Sequence, residues 1–243
     1  HGFAVDDHSG GQLQRSLQFF DASGLATHKV FLKPSSDVAA FDALLARFAA
    51  PDQSAGMAVQ AAAAPAAYRA DAELDVAALQ QAWAQLKDSH DFPTLLQAQQ
   101  ISREQACRLV GSPWARALPN SFAQILLEGA ASAQMPLMVF TSNASTVQIH
   151  TGKVEKIMAM GPWLNVLDPG FNLHLRADLI ASTWLVCKPS QSGLVHSVEF
   201  LDAQGQVITQ VFAAQAQNPQ AAAAWLEWLE RLAENSEAAP CTN

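Results

Sequence analysis

Four places in the chain put ionisable side chains where their neighbours give them something to do. His90 lies in DSHDFP (88–93), at the junction of two helix-like segments, with Asp88 and Asp91 on either side. One of those carboxylates can accept a ring N–H and leave the other imidazole nitrogen free for a metal; the plainer alternative is a histidine beside a helix cap. Arg103 directly follows Ser102, where a guanidinium can hold a carboxylate through two parallel bonds or serve as an exposed first-turn residue. Within one unbroken helix His90 and Arg103 would stand roughly 20 Å apart. They can therefore serve one ligand only if the chain turns between them. In FNLHLR, strand alternation puts Asn172, His174 and Arg176 on one face, which reads as a solvated sheet face or as a cavity wall. His150, in QIHTG, carries the same two readings.

Those residues need elements to hold them. VAALQQAWAQL (76–86) has helical spacing through Val76, Leu79, Trp83 and Leu86, and TLLQAQQ is helix-like after the DSHDFP junction. Ser102 and Gln105 form a Ser-x-x-Gln capping box, which predicts a fresh helix stopping at Gly111. That restart is the turn His90 and Arg103 require. Asn120 or Ser121 is expected to cap FAQILLEGAAS. From Met135 the pattern becomes alternating runs: LMVFTSN, TVQIHTG, VEKIMAM, WLNVLD, FNLHLR and STWLVCKP. Short turns join them, so antiparallel pairing is expected. Asn218 and Pro219 offer an N-cap and first-turn proline to a closing helix.

RSLQFFDASGLATHKVF (15–31) returns as HSVEFLDAQGQVITQVF (196–212) at a constant offset without a gap, each copy two alternating runs about an Asp-x-x-Gly turn. Outside the hairpin, Phe3 and Val5 fall opposite Trp184 and Val186, and both copies lead to helix-like segments, FDALLARF and WLEWLERL. The sequence thus predicts an α+β tandem repeat. Each half is expected to be a large antiparallel β-sheet with flanking helices. The first copy lacks the long preamble of the second, so it is expected to be incomplete, with a sheet edge exposed or covered by a partner fragment, in a parent roughly 100 residues longer. The expected organisation is a first-repeat remnant at 1–53, an Ala-rich linker at 54–73, a complete second repeat at 74–235 and a flexible tail at 236–243.

Composition narrows the function classes. Half of the 243 residues are hydrophobic, enough for a sizeable core, and the net charge of −8 argues against a nucleic-acid partner, which would meet a basic patch. No apolar run is long enough to span a bilayer. Cys107, Cys187 and Cys241 lie far apart, without the spacing of a zinc site or a disulfide framework, which favours a reducing cytoplasm. A nucleophile elbow, P-loop, GxGxxG or HExxH motif is not found.

At DSHDFPTLL, ISREQACRLVG, VQIHTG and above all GPWLNVLDPGFNLHLR followed by W-x-V-x-KP, the sequence resembles the bacterial cytoplasmic hemin-degrading factors of the HemS/ChuS type. That family is itself an internal duplication. The resemblance implies haem as the bound group, held in a cleft between the halves, with His90 as the axial iron ligand and Arg103 at a propionate. It further implies Phe140 as a pocket residue, Lys188 as a basic group in the KP motif, and Gln210 and Phe212 in the cleft. Distal residues would come from the front of the first copy. The implied function is haem uptake and iron acquisition by a carrier, with a downstream haem oxygenase or haem-uptake transporter as partner and a dimer allowed. Two alternatives stand beside it: a haem-degrading, haem oxygenase-like enzyme that opens the ring with oxygen and releases iron, and a non-haem interaction domain. The sequence departs from the family at AAQAQN (213–218), where a basic stretch is usual, and at Cys187, where arginine is usual.

Overall fold

The computed structural model describes residues 1–54, 56, 58–61, 67–216 and 218–238. Contacts divide the chain into two units, residues 1–66 with 143–146, and residues 67–142 with 147–243. Part of the expected Ala-rich linker, and Cys241 in the expected tail, lie outside the described residues. The described end of that linker is ordered against the second unit. Asp71–Glu73 is a 3-10 turn, and Gln105 Nε2 donates to Arg69 O and to Asp71 Oδ1 at 2.8 and 2.7 Å. Residues 236–238 of the expected tail belong to the last helix, which runs on to Ala238.

The first unit is a three-stranded antiparallel sheet, β1 (Gly2–Asp7), β2 (Gln14–Phe20) and β3 (Ala26–Phe31), followed by α1 (Val38–Phe48). The second begins with helices α2 (Val76–Ala84), α3 (Phe92–Gln99) and α4 (Arg103–Val110). Then come β4 (Ala115–Leu118), α5 (Phe122–Ala133), β5 (Leu137–Ser142) and β6 (Val147–Gly152). β7 (Ile157–Met160), β8 (Trp163–Asp168) and β9 (Phe171–Arg176) form a separate three-stranded sheet. β10 (Ser182–Ser190), β11 (Gly193–Leu201) and β12 (Val207–Ala213) precede the closing α6 (Pro219–Ala238). The main sheet is antiparallel throughout, in the order β4-β10-β11-β12-β5-β6.

The duplication holds pair by pair. Ser16 faces Phe31, as Ser197 faces Phe212; Gln18 faces Lys29, as Glu199 faces Gln210. Both ladders slip at the same place, between Phe19 and Phe20 and between Phe200 and Leu201. β1 lies on β2 in the register of β10 on β11, Phe3 with Gln18 and Trp184 with Glu199. Each turn is closed by its aspartate, which accepts backbone N–H bonds two and four residues on (Ser23 and Leu25; Gln204 and Gln206). The same offset carries the α1 cap, Asp37 bonded to Ala40 N, onto the α6 cap, Asn218 bonded to Ala221 N. Among the described residues, β1 and β3 each have one ladder neighbour, whereas their counterparts β10 and β12 have two.

Strand alternation divides the main sheet into two faces. Val139, Leu185, Val198, Phe200 and Val211 point into a core shared with α5, α6 and the smaller sheet. A second core gathers Leu79, Trp83, Phe92, Cys107 and Val110 from α2, α3 and α4 against Val186 of β10. Two local details differ from expectation. β4 is an additional short strand, paired to β10, and α5 has no side-chain cap: the Asn120 amide instead donates to Ile180 O and Ala181 O at 3.1 and 3.0 Å.

Candidate functional site

The other face of the main sheet carries the site. Read across the ladders, Glu199, Gln210, Phe140 and Ile149 make one continuous row, and Ser197, Phe212 and Met138 make the next. Phe140 and Phe212 meet edge to face, centroids 5.1 Å apart. In front of these rows opens a cavity of ≈ 1600 Å³ whose lining residues all belong to the second unit. His90, Arg103, Phe140, Lys188, Gln210 and Phe212 all line it. Ala214, Gln215, Ala216, Asn218, Pro219 and Gln220, around the start of α6, line it as well.

His90 reaches the cavity from the 3-10 turn Ser89–Asp91. Asp88 builds that turn: its Oδ1 accepts from His90 N at 2.9 Å and lies 2.6 Å from His90 Nδ1. The backbone and ring N–H bonds from His90 hold the Asp88 carboxyl below its usual range. With Nδ1 bound to Asp88 and 90 % of the side chain exposed, Nε2 is the ring nitrogen free to meet a ligand. The turn between His90 and Arg103 is present. α3 ends on Gln100 in the left-handed region at φ 56°, and Ser102 Oγ accepts from Gln105 N at 3.0 Å to start α4.

Arg103 and Lys188, both expected at the pocket, are joined behind its wall by Glu199, which sequence reasoning missed. Glu199 is fully buried; its Oε2 accepts from Arg103 Nη1 at 2.7 Å, while Oε1 takes the Lys188 ammonium and Ser197 Oγ. Burial alone would raise the Glu199 carboxyl, but Arg103 and Lys188 outweigh it and bring it down to about 2. Lys188 moves down from its ordinary value, because burial penalises the ammonium and Arg103 repels it while Glu199 only partly offsets both. The asymmetry has a simple origin: one carboxylate is shared by two cations. Both cations also lie over the Phe92 ring, at 4.9 Å for Arg103 Cζ and 4.6 Å for Lys188 Nζ. Trp83 meets Phe92 edge to face at 4.6 Å and is tied to Cys187 O by its indole N–H at 2.8 Å. The available signal for Glu199 was its acidic side chain inside the apolar run Val198–Leu201.

The other histidine candidates lie elsewhere. His150 stacks on Phe171, centroids 3.7 Å apart, and does not line the cavity. Asn172 and His174 are exposed on β9, with His174 Nδ1 2.7 Å from Asn165 Oδ1, and Arg176 pairs with Asp178 at 2.7 Å. The solvated-face reading is therefore the correct one for that triplet. Cys107 and Cys187 are buried free thiols, pushed up by burial to about 12 and about 11. Among the described residues, no group of three or more His, Cys, Asp or Glu is placed to hold a metal ion, and no helix is long and apolar enough to cross a membrane.

A large apolar cavity with one free imidazole nitrogen and two cations held by one buried carboxylate, set on a duplicated α+β fold, defines a class, and the comparisons agree with it. The chain belongs to the family described as the haemin-degrading HemS.ChuX domain, whose model matches residues 1–48 and 100–232. It is 33% identical over 230 residues to the hemin transport protein HmuS of Yersinia pestis, covering 95% of this chain and 66% of that one. Among solved structures it is similar to holo-PhuS, a heme-binding protein from Pseudomonas aeruginosa, with TM-score 0.88 and 43% identity over 94% of this chain and 66% of that one. It is also similar to the heme degrading enzyme ChuS of Escherichia coli O157:H7, with TM-score 0.85 and 33% identity over 95% and 66%. The chain spans about two thirds of the length of the curated relatives it matches.

Proposed function

We propose that this chain binds haem in the second-unit cavity and holds it for transfer or degradation in cytoplasmic haem utilisation. The observation that carries the reading is His90, with Nδ1 engaged by Asp88 and its exposed ring at a cavity that Arg103 also lines. At ≈ 1600 Å³ the cavity exceeds the ~300–1000 Å³ usual for small-molecule pockets, so a macrocycle fits. Phe140, Phe212, Met138 and Ile149 supply apolar surface for its faces. His90 Nε2 would ligate the iron as a neutral imidazole, and Arg103 would hold a propionate by a charge-assisted bond. Phe140, Lys188, Gln210 and Phe212 complete the pocket wall. A downstream haem oxygenase or a haem-uptake transporter is the expected partner class. Titrating haem should give a Soret shift in the wild-type protein that His90→Ala removes; an unchanged shift in that variant would rule His90 out as the ligand.

A degrading enzyme is the second reading, supported by the likeness to a structure described as ChuS, an E. coli heme oxygenase, at 34% identity. The absorption spectrum of the haem complex, followed with an electron donor, oxygen and catalase, separates the two readings. A carrier leaves the catalase-resistant spectrum unchanged, whereas a degrading enzyme bleaches it.

A further inference from the structure

We propose that Glu199 is the positioning residue of a carboxylate clamp: it fixes Arg103 and Lys188 along the cavity wall and sets their joint charge to one positive unit, matched to one carboxylate of the ligand. The proposal rests on the haem-binding reading and deepens it. Three observations carry it. Arg103 spends one Nη1–H on Glu199, and no other hydrogen bond of its guanidinium is found among the described residues. A guanidinium has five N–H donors in a rigid fork, so the bond to Glu199 orients the remaining donors of a side chain that lines the cavity and is 16 % exposed. Second, Lys188 is 3 % exposed and would carry an uncompensated buried charge without Glu199. Third, both cations lie over the buried Phe92 ring, which backs the pair from one side. The charged and titratable groups around Lys188 are Glu199 from the sheet and Arg103 and Cys107 from α4.

The charge arithmetic distinguishes positioning from mere stabilisation. With Glu199 replaced by glutamine, Lys188 loses its counter-ion, and a ligand carboxylate becomes the group that recharges it. Binding of an acidic ligand then takes up a proton and strengthens as pH falls, a dependence the wild-type clamp does not impose.

The experiment compares haem with haem dimethyl ester, which keeps the iron and the ring and lacks the carboxylates. The wild-type protein should bind the diacid more tightly than the ester. Glu199→Gln should reduce that preference at least about tenfold, as loss of an orienting partner does, bring in the pH dependence, and bind the ester as wild type does. The double variant Lys188→Met/Glu199→Gln keeps one net positive charge on Arg103 but removes its orienter, so it too should lose the preference; it also guards against a single variant that fails to fold. An unchanged diacid preference in either folded variant overturns the clamp. A wild-type protein that binds diacid and ester equally overturns the clamp and leaves haem binding standing, and one that binds neither overturns both.

Discussion

At the scale of single residues, the site is organised by two carboxylates, neither of which lines the cavity. Asp88 acts on His90 from outside: accepting from Nδ1, it orients the ring and leaves Nε2 as the nitrogen open to a ligand. Asp88→Asn, which exchanges a charged acceptor for a neutral one, is expected to weaken haem binding by about 10–100-fold, the usual range for an outer partner of a ligating histidine, with the Soret position retained because the ligand itself remains. Glu199 acts from inside. Its folded-state pKa, about 2, lies below the unfolded value of roughly 4.3, so the stability it contributes is fully present above that value and is lost as pH falls towards 2. The linked stability is on the order of 3 kcal/mol. Denaturant midpoints of wild type and Glu199→Gln, measured along an acid series, should therefore differ most near neutrality and converge at the acid end. The two carboxylates were unequally legible. Asp88 sits next to His90 in the chain, and its role follows from adjacency, while Glu199 meets Arg103 only through the packing of α4 on the sheet, which no local pattern encodes.

At the scale of elements, the step from α3 to α4 makes the site possible. A left-handed Gln100 stops one helix and the Ser102 box starts another, so Arg103 turns back towards the turn that holds His90. Ser102→Ala removes the acceptor of Gln105 N and is expected to cost about 0.5–2 kcal/mol of stability in denaturant unfolding, with a loss of haem affinity beside it because Arg103 is the first residue of the loosened helix. The capping box was readable because its two partners lie three residues apart. The strands were readable for the same reason, since alternation is local. What was not readable is how the strands divide: β7, β8 and β9 look no different in sequence from β5 and β6, yet they form their own sheet. β4, four residues closed by Pro119, is too short for a period to register. Asn120 looked like a cap because its type suits one, but two carbonyls beside Ile180 are the stronger partners for its amide.

At the scale of the whole molecule, the repeat is a natural control on what sequence alone dictates. Both hairpins have the same register, the same bulge, the same aspartate-closed turn and an equivalent capped helix, so the passage encodes its own local structure wherever it occurs. It does not encode its burial. Phe200 is 1 % exposed in the core of the second unit, whereas Phe19, at the equivalent position in the three-stranded sheet, is 39 % exposed. The site residues diverge in the same way, with Gln18 at the place of Glu199, Asp7 at that of Lys188 and Lys29 at that of Gln210, so the first unit keeps the fold of the hairpin without the charge clamp. Energetics should follow burial and not sequence. Phe200→Ala deletes a ring from a close-packed core and is expected to cost about 3–5 kcal/mol, while Phe19→Ala, already partly in water, should cost less than about 1.5 kcal/mol. Far-UV circular dichroism in denaturant reads both variants, and tryptophan fluorescence adds a local probe, since all six tryptophans lie in the second unit. Equal losses at the two positions would mean that the hairpin's stability is intrinsic to its sequence, and burial in the six-stranded sheet would then contribute nothing to the difference between the two copies.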